Sequence, residues 1–296
     1  MLIALLIPLG LAAVVFTIML ARAAIRRGAT PTSEAIGLGA VTNFFDTLGI
    51  GSFAPTMAWF KFRKLVPDRL IPCTTIAGHT LPTMAQAIIF LTLLGVLVDP
   101  VLFVGCIVSF LMGGLVGVPV VARSRVWIVQ SVVGVGLFVA ASLYALANLH
   151  MMPGGGTAAS LPMPLTIVAI IASFIFGVLL NFGIGNYAPT LILLSMLGMD
   201  PRLCFPIMAA SAGLTAAATG IRYVSIGEVN LRLAVGMAIG GIPAVLVAAF
   251  IVKSMPVEML RWGVIVVVLY AAAVMLRSAL IGRRDEAAAL ACAAAE

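Results

Sequence analysis

The sequence predicts an all-α polytopic membrane protein: two inverted-topology repeats, about seven spanning helices, and two Gly-interrupted segments that re-enter or break within the bilayer. Three observations predict it. Apolar segments of about 20 residues recur along the whole chain, each long enough to cross a hydrocarbon core of about 30 Å. The stretch Gly49-Ile50-Gly51-Ser52-Phe53-Ala54-Pro55-Thr56 returns as Gly183-Ile184-Gly185-Asn186-Tyr187-Ala188-Pro189-Thr190, displaced by 134 residues without a gap. The basic residues gather in short clusters between apolar segments, as in the cytoplasmic loops of membrane proteins.

Composition excludes the main alternatives. A chain that is 63% hydrophobic and 9% charged, with a mean hydropathy of +1.23, is far outside the range of soluble domains. A membrane β-barrel would show alternation in pieces of about ten residues, which is absent. The net charge of +7 would suit nucleic acid, but its distribution between apolar segments assigns it to the membrane surface, and no nucleic-acid partner is expected. Cys73, Cys106, Cys204 and Cys292 form no Cys-x-x-Cys pair, so neither a disulfide framework nor a zinc site is expected. Residues 2–21 lack a positive leading region and are apolar for too long to be a cleaved signal; they read as a retained first helix.

Taken in order, residues 1–33 hold that helix and a basic linker with Arg22, Arg26 and Arg27. A first repeat covers 34–148: an interrupted segment (34–48 and 52–60), then helices over 70–98, 100–121 and 126–148. Residues 149–163, without Lys or Arg, link the halves. A second repeat over 164–282 repeats the scheme, with an interrupted segment (164–182 and 186–198) and helices over 203–224, 229–252 and 257–281. The tail 283–296 is polar, then Ala-rich, and is expected to be partly disordered.

Whether the interrupted segments cross or turn back is decided by length and charge. Residues 34–48 would make a helix about 22 Å long, which passes the middle of the bilayer and stops. Residues 164–182 would reach about 28 Å and nearly span. With two re-entrant hairpins and the N-terminus outside, 14 of the 17 Lys and Arg residues fall inside and only Arg202, Lys253 and Arg261 outside. With full crossings the division is nine against eight, so the positive-inside rule favours the hairpins. Three spans per repeat then invert the second, and the hairpin tips enter from opposite faces to meet near the midplane.

The tips are the candidate binding site. A broken helix survives in hydrocarbon only where it lines a cavity or is buried in protein. Each half-helix beyond a break offers the N–H groups of its first turn and the positive end of its dipole, which suits a small anion. Gly49, Gly51, Gly183 and Gly185 let backbone approach the ligand. Ser52 and Asn186 read as N-caps, and with Thr56 and Thr190 they add hydrogen-bonding groups. Phe53 and Tyr187 occupy the matching aromatic position, where packing is favoured over ligation.

Two ionisable residues stand in apolar sequence: Asp46 just before the first break and His79 near the middle of its helix. Such groups mark ion or proton paths, or else cap backbone and tie helices together. Neither has a counterpart at the repeat offset, where Leu180 and Gly213 stand. Thr74, Thr75, Thr80, Thr83 and Gln86, with Ser211, Thr215 and Thr219, are further candidates to line the cavity. Trp59, Trp127 and Trp262 read as interfacial anchors, Arg222 as a snorkelling residue, and Gly113-Gly114 and Gly240-Gly241 as close-packing positions.

Two related halves that each open on a Gly-x-Gly break followed by Ala-Pro and an apolar run resemble the sulfite exporter TauE/SafE family of bacterial membrane permeases. The resemblance runs from about Glu34 to Leu280, and the glycine-rich first motif is here Asn43-Phe44-Phe45-Asp46-Thr47-Leu48-Gly49-Ile50-Gly51. It implies export of sulfite or a short organosulfonate across the bacterial inner membrane; the distribution of basic residues places the C-terminus on the cytoplasmic side. The expected function is therefore a secondary transporter of a small anion by alternating access, with Asp46 or His79 as the proton-coupling group. An anion-selective or neutral-solute channel with inverted hairpins and a cation-coupled permease centred on Asp46 stay open as alternatives. No nucleotide-binding motif, nucleophile with its base or spaced metal ligands is present, so no enzyme activity, cofactor or metal is expected. The expected partners are the anion, the bilayer and a proton; oligomeric state is left open.

Overall fold

The computed structural model describes residues 2–48, 51–67, 70–94, 97–121, 156–181, 185–227, 229–254 and 257–293, with scattered positions between 125 and 149. Gly49, Gly183, Arg69, Arg123 and most of the helix expected over 126–148 lie outside the described residues. Among the described residues ten helices are named in chain order: α1 (Leu2–Arg26), α2 (Ser33–Thr47), α3 (Phe53–Arg63), α4 (Ile71–Leu94), α5 (Pro100–Val121), α6 (Met163–Leu180), α7 (Tyr187–Met196), α8 (Pro201–Ile226), α9 (Leu231–Ser254) and α10 (Val257–Ala293). Six of them, α1, α4, α5, α6, α8 and α9, are long and apolar enough to cross a membrane. The chain is an all-α polytopic membrane protein.

Contacts between helix ends sort the termini onto two faces. On the first face, Arg232 donates to the Thr30 carbonyl at 3.2 Å and the Asn230 N–H donates to the Thr74 hydroxyl at 3.1 Å. The start of α9 thus lies beside the starts of α2 and α4. On the opposite face the Asp99 N–H meets the Ala159 carbonyl at 3.3 Å, which places the start of α5 beside the segment leading into α6.

The same kind of contact shows that both interrupted segments turn back. Glu34, in the first turn of α2, accepts from Arg63 at the end of α3 and from the Trp59 indole, each at 3.0 Å. These partners, Arg63 foremost, hold the Glu34 carboxyl below the usual range. The second hairpin is closed at its base by backbone. The Ala158 N–H donates to the Gly198 carbonyl at 3.2 Å, and the Asp200 N–H to the Ala158 carbonyl at 3.0 Å. At 11 and 10 residues, α3 and α7 would each cover only about 16 Å, half of a hydrocarbon core. So α6, although long enough to span, is the descending arm of a hairpin whose other arm returns to its own side.

Helix limits follow local chemistry. Thr32 caps α2 by accepting from the Ala35 N–H at 3.2 Å. Asp200 caps α8 by accepting from the Arg202 N–H at 2.8 Å, with Pro201 in the first position. Gly227 ends α8 at φ +82, beside the Arg27 guanidinium.

The halves are packed by exchange. The first hairpin's descending arm, α2, lies against α9 of the second half, and the second hairpin's arm, α6, lies against α5 of the first half. Glycines permit both contacts. A Cβ on Gly113 would stand 2.0 Å from the Phe174 carbonyl oxygen, and one on Gly177 2.1 Å from that of Phe110. In the other pair, a Cβ on Gly240 would stand 1.9 Å from the Ile36 carbonyl and one on Gly39 2.3 Å from that of Met237. Between these pairs, α4 and α8 pack on each other at the centre, with Phe90 against Phe205 at 5.3 Å between centroids.

The tail differs from expectation. α10 continues as helix to Ala293, since alanine is the best helix former and no residue after Gly282 interrupts it. Its end is docked: the Trp127 indole and Arg125 both bond Glu286, the latter at 3.2 Å, and Arg283 lies over the Trp127 ring.

Gly113→Val should lower stability by about 1–3 kcal/mol through overpacking. Gly37→Ala, with nothing within 4 Å of the new methyl, should be neutral or stabilising by up to about 1 kcal/mol. Thermal unfolding midpoints in detergent check both.

Candidate functional site

The two tips meet. The nearest atom to a Cβ placed on Gly185 is the Cα of Gly51, at 3.9 Å. Gly51 has φ +84, which an L side chain rarely adopts, so the first turn-back needs glycine there. Around this contact lies a cavity lined by Asp46, Phe53, Thr83, Leu180, Gly185, Asn186, Tyr187, Ala212 and Ala216. It is narrow: a water-sized sphere fits through a volume of about 10 Å³, room for about one water. Of the residues singled out from the sequence, Asp46, Phe53, Thr83, Gly185, Asn186 and Tyr187 line it directly, and Gly51 and Ser52 adjoin it.

The caps expected at the breaks are not formed. Asn186 makes no side-chain cap. Its amide nitrogen donates to the Met208 carbonyl of α8 at 3.0 Å, and its amide oxygen accepts from the Thr190 hydroxyl at 2.5 Å. The neighbouring helix has taken the side chain that the first turn of α7 would use. The Ser52 hydroxyl is buried without a hydrogen-bond partner. The first-turn N–H groups of α3 and α7, having no acceptor inside their own helices, therefore stay uncapped by these side chains.

Asp46 is buried at the end of α2 and faces Ser52 across the break, toward both its backbone N–H and its hydroxyl, without full hydrogen-bond geometry at the hydroxyl. A carboxylate there lies at the positive end of α3.

His79 does different work from Asp46, and the two do not bond each other. The Asn43 amide nitrogen donates to the Gly39 carbonyl at 2.7 Å, which leaves its oxygen to accept from His79 Nδ1 at 2.9 Å. His79 Nε2 then accepts from the Thr56 hydroxyl at 2.9 Å, and the ring stacks on Phe53. A neutral imidazole satisfies this network at both nitrogens. His79 ties α2, α4 and α3 together and sets the first tip.

Sequence reasoning missed two anchors. Asn43 was read only as part of a motif. Asn181, at the end of α6, donates to the Gly114 carbonyl of α5 at 2.8 Å and accepts from the Tyr223 hydroxyl of α8 at 3.3 Å. The available signal was an amide in each apolar arm shortly before its break, a costly placement without a partner.

The model of the sulfite exporter TauE/SafE family matches residues 165–295, which bears out over the second half the resemblance read from the sequence. That stretch holds nearly all of the second hairpin and α8 to α10, and over it the chain is similar to the sulfite exporter TauE/SafE family. No curated protein and no solved structure gave a match.

Thr56→Val and His79→Leu should each destabilise by about 1–3 kcal/mol, because each leaves a buried polar partner unpaired. The double variant should cost less than the sum, since both changes remove one shared bond. Unfolding midpoints of the four proteins check this.

Proposed function

We propose that the chain is a secondary transporter that exports a small oxyanion, sulfite or a short organosulfonate, by alternating access around the paired tips. In this reading it sits in the bacterial inner membrane, N-terminus outside and C-terminus cytoplasmic, with the two halves as inverted repeats. The observation that supports it most is the approach of Gly185 to Gly51, which brings to one cavity two helix starts that Ser52 and Asn186 leave uncapped. Two positive dipole ends and a buried free hydroxyl on Ser52 favour an anion at that point without an intramembrane lysine. The family match over the second half favours sulfite-type substrates. The basic face, with Arg26, Arg27, Arg63, Lys64, Arg232, Arg283 and Arg284, is the cytoplasmic one by the positive-inside rule.

Asp46 supplies the coupling. Its carboxylate holds the positive end of α3 that the substrate would use. Two unit negative charges about 5 Å apart repel by about 3 kcal/mol at an effective dielectric constant of about 20. A proton on Asp46 removes both obstacles, so anion and proton travel together, and export runs down an outward anion gradient against the inward pull of the proton. A second reading, a cation path centred on Asp46, is favoured by the place of that carboxyl in the cavity wall.

Uptake of labelled sulfite and sulfoacetate into proteoliposomes tests the reading. Wild type should show saturable uptake that an acidic exterior accelerates. Ser52→Ala should lower kcat/KM about tenfold, as for loss of a hydrogen bond to a charged group. Asp46→Asn should abolish the acceleration. Movement of a cation with neither anion would establish the second reading.

A further inference from the structure

We propose that Gln86 and Tyr187 form a second polar station, one helical turn beyond the paired tips, that takes oxygen atoms of the transported anion; this rests on the transporter reading above. Gln86 is 1% exposed, and neither its amide nitrogen nor its amide oxygen has a hydrogen-bond partner among the described residues. Tyr187 is 2% exposed, and its hydroxyl is likewise unpartnered. Tyr187 lies in one apolar cluster with Met84, Ala87 and Phe90, the α4 residues on either side of Gln86 in the chain.

Helix geometry points Gln86 at the tips. Residues 79, 83 and 86 fall on one face of α4. His79 on that face holds the first tip through Thr56, and Thr83 lines the cavity. The other faces are occupied. Thr80, Met84 and Ala87 face α8, where Thr80 donates to the Ala216 carbonyl and the other two close on Gly213. Gly78 and Pro82 face Met237 and Gly241 of α9. Gln86 therefore extends the cavity wall by about 4.5 Å, three residues along the axis, away from the end of α4 where Thr74 meets Asn230.

The chemistry fits an oxyanion in transit. The amide N–H groups and the phenol O–H are uncharged donors, weak enough to release what the helix ends hold more firmly. An apolar seam has no structural use for an amide left unbonded at both ends, because hydrocarbon offers it nothing. A passing ligand with several acceptor oxygens satisfies it during part of the cycle.

Gln86→Cys, reconstituted in proteoliposomes with wild type as the control for the native cysteines, is treated with 2-sulfonatoethyl methanethiosulfonate. The variant should be labelled, wild type should not, and saturating ethanesulfonate, which unlike sulfite does not react with the thiosulfonate, should slow labelling about tenfold, as expected at a concentration about ten times the dissociation constant. Absence of labelling overturns the station, and labelling that ethanesulfonate does not slow marks a water-filled recess and overturns it too. Gln86→Leu guards against misfolding: losing an unpaired amide, it should melt at or above wild type yet show a raised KM for sulfite. If wild type and Gln86→Leu transport sulfite equally well, this inference fails and the transporter reading stands; if wild type moves no anion, both fall.

Discussion

Hydrocarbon offers no partner to an unpaired backbone amide, and the arrangement of the helices follows from how the chain meets that constraint at its two breaks. Each break leaves the end of one helix and the start of another facing nothing of their own. The breaks are placed against each other at Gly51 and Gly185, and α4 and α8 close around them. Each tip is also pinned to the long helix that follows it, by different chemistry at the same mechanical point. The first is held by His79 of α4 through Thr56, and the second by Asn186 through the Met208 carbonyl of α8. A pin to a rigid helix fixes where the uncapped N–H groups point, which is the requirement for an electrostatic site that does not reorganise on binding.

That enclosure rests in turn on helix contacts that no hydrophobic drive supplies, since lipid is as apolar as leucine. Close approach is what remains. At Gly113, Gly177, Gly39 and Gly240 a carbonyl of the partner helix occupies the space a methyl group would need, so backbone meets backbone. The outer faces of α1, α5, α6 and α9 leave Ile, Val and Phe side chains exposed, as a lipid-facing surface should.

What the sequence made legible was local. Glycines in an apolar run, an alanine-proline pair restarting a helix and the same pattern after 134 residues are all visible without a partner. The return of α6 was legible only through the balance of basic residues, because apolar length records reach and not direction; the closing bonds run from Ala158 to Gly198 and Asp200, across 40 residues and more. Cap assignment failed at Asn186 for a related reason. A side chain that could serve its own helix was claimed by a carbonyl 22 residues away. His79 was legible as an anomaly with a helix tie among its readings, but its partner was not, since Asn43 lies on another helix. The tail was misjudged because low complexity hides the fact that alanine favours helix, and because its dock on Trp127 is distant in sequence.

The exchanged packing has a consequence for how the halves depend on each other. Neither half owns a complete set of neighbours: α2 finds its groove on α9, and α6 finds its groove on α5. A single half in isolation would present one glycine-lined groove and one unclaimed hairpin arm, each the complement of the other. Two copies would satisfy both by interlocking, with the hairpin of each lodged in its twin. Each half is thus the template on which the other's hairpin arm is held.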